Sequence, residues 1–218
     1  MSSRPRYDRA KAGGRAILPD MHFVIGLGNP GASYAATRHN IGWMVLDELC
    51  RQLDCTPLER MKAHQADVRR LLIKEAPVWC VYPHTFMNRS GETVRSLWRD
   101  DPAATVIVVH DDVALPIGEL RISYGRGHGG HNGIRNIIDQ CKTKDFVRIR
   151  MGVASRSWFG GAARPPSGQA LPRHVLGRFS LFEQTTLRTA CDRGVIAIRD
   201  CVLSGYEVAM NTHNAPQS

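Results

Sequence analysis

One short stretch of this sequence holds an imidazole and two amides: Asn29, His39 and Asn40, spread over a glycine-rich loop that opens Gly26-Leu27-Gly28-Asn29-Pro30-Gly31. Imidazole has the side-chain pKa nearest neutral pH, so His39 is the natural general base. Three more loops carry polar groups of the same kind. Phe86 and Asn88 lie in residues 83–91, Asp111 follows the apolar run 104–109, and Asn132 follows the glycine-rich residues 125–131. A carboxylate bonded to one imidazole nitrogen fixes the tautomer and raises the basicity of the other. His39, Asp111 and the asparagine amides are therefore the side chains to watch for acid–base work and polar contacts.

Elements must bring these loops together. Residues 22–27 read as a strand that ends in glycines and enters a helix over 40–53, the opening of an α/β domain. Residues 66–76 and 77–82 read as two strands in a hairpin around Pro77. The β-branched run 104–109 is the pattern of a central strand buried on both faces. Further strands are expected at 118–124 and 146–153, with helices after 91, after 133 and over 180–203. Loops that follow strands gather at one edge of an open α/β sheet, where such sheets bind ligands.

Gly26-x-Gly28-x-x-Gly31 also matches the dinucleotide-binding fingerprint. That reading requires an acidic residue about 20 positions on, closing a second strand. Asp47 and Glu48 fall inside the helical pattern instead, and Pro30 removes an N–H from the loop. A metal-hydrolase alternative rests on His128 and His131 with Asp111 and Asp112, without an H-E-x-x-H pattern or a thiolate ligand.

The chain has 218 residues and is 43% hydrophobic, the range of one globular domain. No apolar stretch approaches the ~20 residues of a membrane helix, and the first twenty residues lack the apolar core of a secretory signal. The net charge of +9, from 29 Lys+Arg against 20 Asp+Glu, favours a polyanionic partner. Cys50, Cys55, Cys80, Cys141, Cys191 and Cys201 form no C-x-x-C pair and read as reduced core residues of an intracellular protein. Residues 1–20 read as a disordered basic extension, with Met21 a second candidate start, 21–205 as the folded domain, and 206–218 as a loose C-terminal tail. Residues 154–173, rich in Gly, Pro, Ser and Arg, read as a long mobile loop.

The pieces GLGNPGASYAATRHNIG (26–42), PHTFMNRSGE (83–92), HDD with LPIGELR (110–121), GHGGHNGIRNII (127–138) and FVRIRMGV (146–153) resemble, in that order, the bacterial-type peptidyl-tRNA hydrolases. The resemblance implies an α/β fold: a single three-layer α/β/α domain on a twisted, mostly parallel mixed sheet. It implies hydrolysis of the ester between a peptide and tRNA by a cytoplasmic monomer that needs neither metal nor cofactor. By position, His39 is the catalytic base and Asp111 its carboxylate partner. Asn29, Asn88 and Asn132 contact the peptide or the water, and Tyr34 and Phe86 stand at substrate-contacting aromatic positions. It also implies that Asn29 accepts the N–H of an acylated amino group. The other class to weigh is a non-catalytic RNA-binding relative of the same fold. Arg121, Arg126, Arg135, Lys142, Lys144 and Arg148 are candidate phosphate contacts, and Asn132 is a candidate helix cap. The sequence departs from the family pattern at Ala114, where a second acidic residue is common, and at Arg126, where a small residue is usual.

Overall fold

The computed structural model of the chain describes residues 20–155, 168 and 170–215. Along it come β1 (His22–Gly26), α1 (Ile41–Gln52), β2 (Glu59–Met61), β3 (Ala66–Ile73), β4 (Ala76–Pro83), α2 (Ser90–Asp100), β5 (Thr105–Pro116), β6 (Leu120–Tyr124), α3 (Asn132–Cys141), β7 (Val147–Ala154), α4 (Ala170–Val175), α5 (Gln184–Ser204) and α6 (Tyr206–His213). The strands form one seven-stranded sheet in the order β2-β3-β4-β1-β5-β7-β6. The four inner strands β4, β1, β5 and β7 run parallel, and the antiparallel pairings lie towards the two edges.

The central stretches of β1, β4 and β5 (23–25, 77–81 and 106–109) are apolar without interruption because both faces of the sheet are covered. In β1, Val24 joins one core while Phe23 and Ile25 join the other; in β5, Ile107 and Val109 alternate with Val106 and Val108 in the same way. The first core is closed by α1 through Ile41, Val45, Leu46 and Leu49, and by α5 through Leu187, Val195 and Ile198. The second is closed by Val94 and Leu97 of α2 and by Ile134 and Ile137 of α3. Apolar residues at helical spacing make each helix one-sided, so three layers follow from two helix pairs.

The hairpin of β3 and β4 turns at Lys74 and Glu75, with Lys74 left-handed (φ 55°), rather than around Pro77, which pairs with Leu72 inside the ladder. β5 does not end near residue 109 as expected but continues to Pro116. The expected loose tail is in part a helix. Ala209 of α6 is fully buried, and beyond it Asn214 Oδ1 accepts the Ile122 N–H (2.8 Å) while its Nδ2 donates to Ile122 O (2.8 Å). An edge strand leaves backbone groups unpaired, and this amide satisfies a pair of them on β6. One buried alanine is too faint an apolar period to announce a helix. The basic extension, but for Asp20, and most of the expected loop 154–173 lie outside the described residues; the end of that loop is the start of α4. Among the described residues no helix is long and apolar enough to cross a membrane.

Candidate active site

His39 reaches its place because helix α1 starts hard against the sheet. A Cβ on Gly42 would lie 2.5 Å from Leu27 N and 2.5 Å from Val109 O, and one on Gly28 would meet the Trp43 ring at 2.8 Å. These glycines serve the close approach of α1 to the ends of β1 and β5, not a pyrophosphate cradle. The helical turn Arg38–Asn40 then presents His39 to the end of the sheet. Arg38 is held from behind. Its backbone N–H donates to Gly177 O (3.0 Å), and its guanidinium donates to both Glu183 oxygens (3.0 and 2.9 Å) and to Arg178 O.

Asp111 lies within β5, two residues beyond Val109, the partner of the last residue of β1. It is buried, and its Oδ1 meets His39 Nδ1 at 2.7 Å and His131 Nε2 at 2.9 Å. The partners assign the tautomers. His131 Nδ1 accepts the Ile134 N–H (3.2 Å), so its Nε2 carries the proton that Asp111 receives. His39 Nδ1–H likewise donates to Asp111, which leaves the Nε2 lone pair of His39 for chemistry. Burial raises the carboxyl of Asp111, but the charges and hydrogen bonds of His39 and His131 overcome it and hold the group well below the usual range. Burial pushes His39 down, while the charge and hydrogen bond of Asp111 outweigh it and leave His39 above its ordinary value. His110, whose Nδ1 donates to Asp111 O (2.8 Å), is driven well below its ordinary value by burial and by His131, so it adds no positive charge.

Asn29 is fixed at three points. The buried Asn40 takes its main chain in both directions, Oδ1 accepting Asn29 N–H (2.9 Å) and Nδ2 donating to Asn29 O (3.0 Å). Asn29 Oδ1 accepts the Met87 N–H (2.8 Å), which ties the first loop to the second. Asn40 was visible in the sequence only as a second amide beside the base; its burial at the helix start marks its structural work. Asn29, His39, Phe86, Asn88, Asp111 and Asn132 all line one cleft of about 1440 Å³. Tyr34 stands outside that lining but packs edge-on against Phe86, ring centroids 6.4 Å apart.

Sequence reasoning gave His131 a place only in the metal alternative. His39, Asp111 and His131 do bring three ligand-type atoms within 4.8 Å, yet both nitrogens facing the carboxylate carry protons and donate to it. The other members of that alternative are engaged elsewhere: His128 Nδ1 accepts the Gly130 N–H (3.0 Å), and Asp112 pairs with Arg150 (2.7 Å). The cap of α3 is His131, not Asn132, whose Oδ1 accepts from Arg135. Arg148 is buried and donates to Gly127 O (2.6 Å) and Arg126 O, so it fastens the glycine loop and is not a phosphate contact. That loop leaves the far end of β6, which runs antiparallel to β7, and must return along the sheet before His131 reaches Asp111.

The family model for peptidyl-tRNA hydrolase matches residues 23–218. This chain belongs to the peptidyl-tRNA hydrolase family. Among its relatives, the peptidyl-tRNA hydrolase of Syntrophotalea carbinolica is 39% identical over 196 residues, covering 89% of this chain and 97% of that protein. The enzyme of Thermosynechococcus vestitus is 40% identical, covering 88% and 92%. A crystal structure of peptidyl-tRNA hydrolase from Acinetobacter baumannii superimposes with a TM-score of 0.80 at 30% identity, covering 93% of this chain and 99% of that one. A peptidyl-tRNA hydrolase is thereby supported over the non-catalytic RNA-binding alternative, and the three-layer α/β reading holds. The cleft of this chain holds the His39 imidazole, the buried Asp111 carboxylate and the amides of Asn29, Asn88 and Asn132 at its wall.

Proposed function

We propose that His39 is the general base that activates water against the ester of peptidyl-tRNA, and that Asp111 orients it. The observation that carries this is the 2.7 Å contact from His39 Nδ1 to Asp111 at the wall of the cleft, which leaves Nε2 unprotonated. Water attacks the carbonyl that joins the peptide to the ribose of the terminal adenosine, and its proton passes to Nε2. The tetrahedral intermediate then collapses, and the imidazolium returns the proton to the departing ribose oxygen. An activated ester needs a placed water and a polarised carbonyl, not a covalent nucleophile. With Oδ1 accepting the Met87 N–H, Asn29 has its NH2 to offer as a donor to the oxyanion.

Asn88 and Asn132, exposed at the cleft, take the peptide's polar groups, and the Tyr34–Phe86 pair takes an apolar side chain. Arg126, Arg135, Lys142 and Lys144 are exposed beside the glycine loop and α3, and meet tRNA phosphates there. On this reading the enzyme works without metal, as a cytoplasmic monomer whose site comes from one chain. The test is tRNA release from N-acetyl-aminoacyl-tRNA, with free aminoacyl-tRNA and added chelator as controls. The wild type should cleave the acylated substrate alone and resist chelator, and His39→Ala should lose about 10²–10⁴-fold in kcat. Chelator-sensitive cleavage, or a fully active His39→Ala, would defeat the proposal.

A further inference from the structure

Three of the six cysteines converge far from the cleft. Cys50 lies in the last turn of α1, Cys55 in the loop that follows, and Cys80 in β4; their sulfurs all lie within 4.8 Å of one another. Cys55 Sγ and Cys50 Sγ are 2.6 Å apart, well inside ordinary non-bonded contact and approaching the ~2.05 Å of a disulfide. His39 sits at the opposite end of α1, about 16 Å away along the helix axis. Cys80 is buried, whereas Cys50 and Cys55 are partly exposed.

The two accessible thiols differ in character. Hydrogen bonds from Cys50 and Cys80, helped by the positive charge of Arg69, hold the Cys55 thiol down at about 4, while the contact with Cys55 pushes Cys50 up to about 11. The two sulfurs share one hydrogen bond, and that sharing favours the thiolate on Cys55 over Cys50. Arg69 Nε is buried without a hydrogen-bond partner, and the charge of this guanidinium is felt by both Cys55 and Asp47. Cys191 and Cys201, by contrast, are pushed up to about 12 by burial, the condition of inert structural thiols.

We propose that Cys55 and Cys50 form a peroxide-reactive dithiol, Cys55 the nucleophile and Cys50 the resolving thiol of a disulfide that closes the end of α1. The Cys55 thiolate attacks one oxygen of hydrogen peroxide; the O–O bond breaks, and the leaving hydroxide takes a proton as water. The product is a sulfenic acid on Cys55. Cys50 then attacks that sulfur, the S–OH bond breaks, a second water leaves, and the S–S bond forms. Two thiols lose two electrons, and peroxide gains them. Cys80 is too deeply placed to meet peroxide first, and it serves by donating to the Cys55 thiolate.

The test treats the full chain with hydrogen peroxide and follows intact mass and peptide maps. Loss of two hydrogens and a linked Cys50–Cys55 peptide is the expected result. In Cys50→Ser the reaction should stop at a sulfenic acid on Cys55 that dimedone traps, and Cys55→Ser should trap none. At pH 6, iodoacetamide should modify Cys55 of the unaltered protein at least about tenfold faster than Cys191 or Cys201, a readout that needs no variant to fold. Hydrolysis of peptidyl-tRNA should be the same before and after oxidation. Equal reactivity of all the cysteines, or dimedone adducts that persist in Cys55→Ser, would overturn the proposal. So would one equivalent of Zn2+ retained on purification and blocking the thiols, since the cluster would then be a metal site.

Discussion

His39 sits between two opposed influences, and in its proposed role as base their balance sets how the enzyme responds to pH. Burial favours the neutral ring, yet the charge and hydrogen bond of Asp111 win and place the pKa above the ordinary 6.5. A base must be neutral to work, so kcat/KM should rise with pH through a midpoint above that value. Asp111, held well below the usual carboxylate range, stays ionised throughout. Asn29→Ala removes the proposed oxyanion donor and should cost about 10²–10³-fold in kcat with a smaller change in KM, measured on N-acetyl-aminoacyl-tRNA. A large KM effect with kcat preserved would make Asn29 a binding residue only. His39, Asp111 and Asn29 were legible as residues because their types name a chemistry and a known motif surrounds them. Asn40 and His131 were not read as site residues, because their value lies in partners that sequence does not show: the main chain of Asn29 for one, Asp111 for the other.

The elements that aim these side chains meet at glycines and at one ion pair. Gly42 lets α1 touch the backbone of Leu27 and Val109, and main chain cannot yield as a flexible side chain can. Gly42→Ala should therefore destabilise the fold by about 1–3 kcal/mol and displace His39, lowering kcat as well as the thermal midpoint; an unchanged kcat would refute this positioning role. Behind the same turn, Arg38 and Glu183 join α1 to the start of α5. Glu183→Gln should cost about 2 kcal/mol in chemical denaturation, with little change in KM. Strands and helices with a strong apolar period were readable at this level. The turn at Lys74 and Glu75, the extension of β5 and the helix α6 were not, since a turn's backbone angles, a strand's partner and a single buried alanine leave little pattern in the chain.

For the molecule as a whole, the charge of +9 bears on how a polyanion arrives. Contacts to phosphate release counterions, so KM for tRNA-linked substrate should rise steeply between low and moderate salt, while kcat changes little. Charge-reversal of Arg126 and Lys142 should flatten that slope; a KM indifferent to salt would remove the docking proposal. The order of motifs placed the fold within one family, and the layered α/β architecture followed from two-sided strands and one-sided helices. Composition gave the sign of the charge but not where it is free to act: Arg148, counted among the phosphate contacts from sequence, is spent inside on the carbonyls of Arg126 and Gly127.

The measurement that bears most directly on the central claim is the pH profile of kcat/KM for N-acetyl-aminoacyl-tRNA, taken for the wild type and for Asp111→Asn. The wild type should show a single rising limb above the ordinary imidazole value. Asp111→Asn should keep a limb, shifted to lower pH because the carboxylate's support is gone, with a plateau lowered by at least about 10²-fold because the tautomer is no longer held. A limb that does not move, at an unchanged plateau, would contradict the His39–Asp111 pair as the catalytic base.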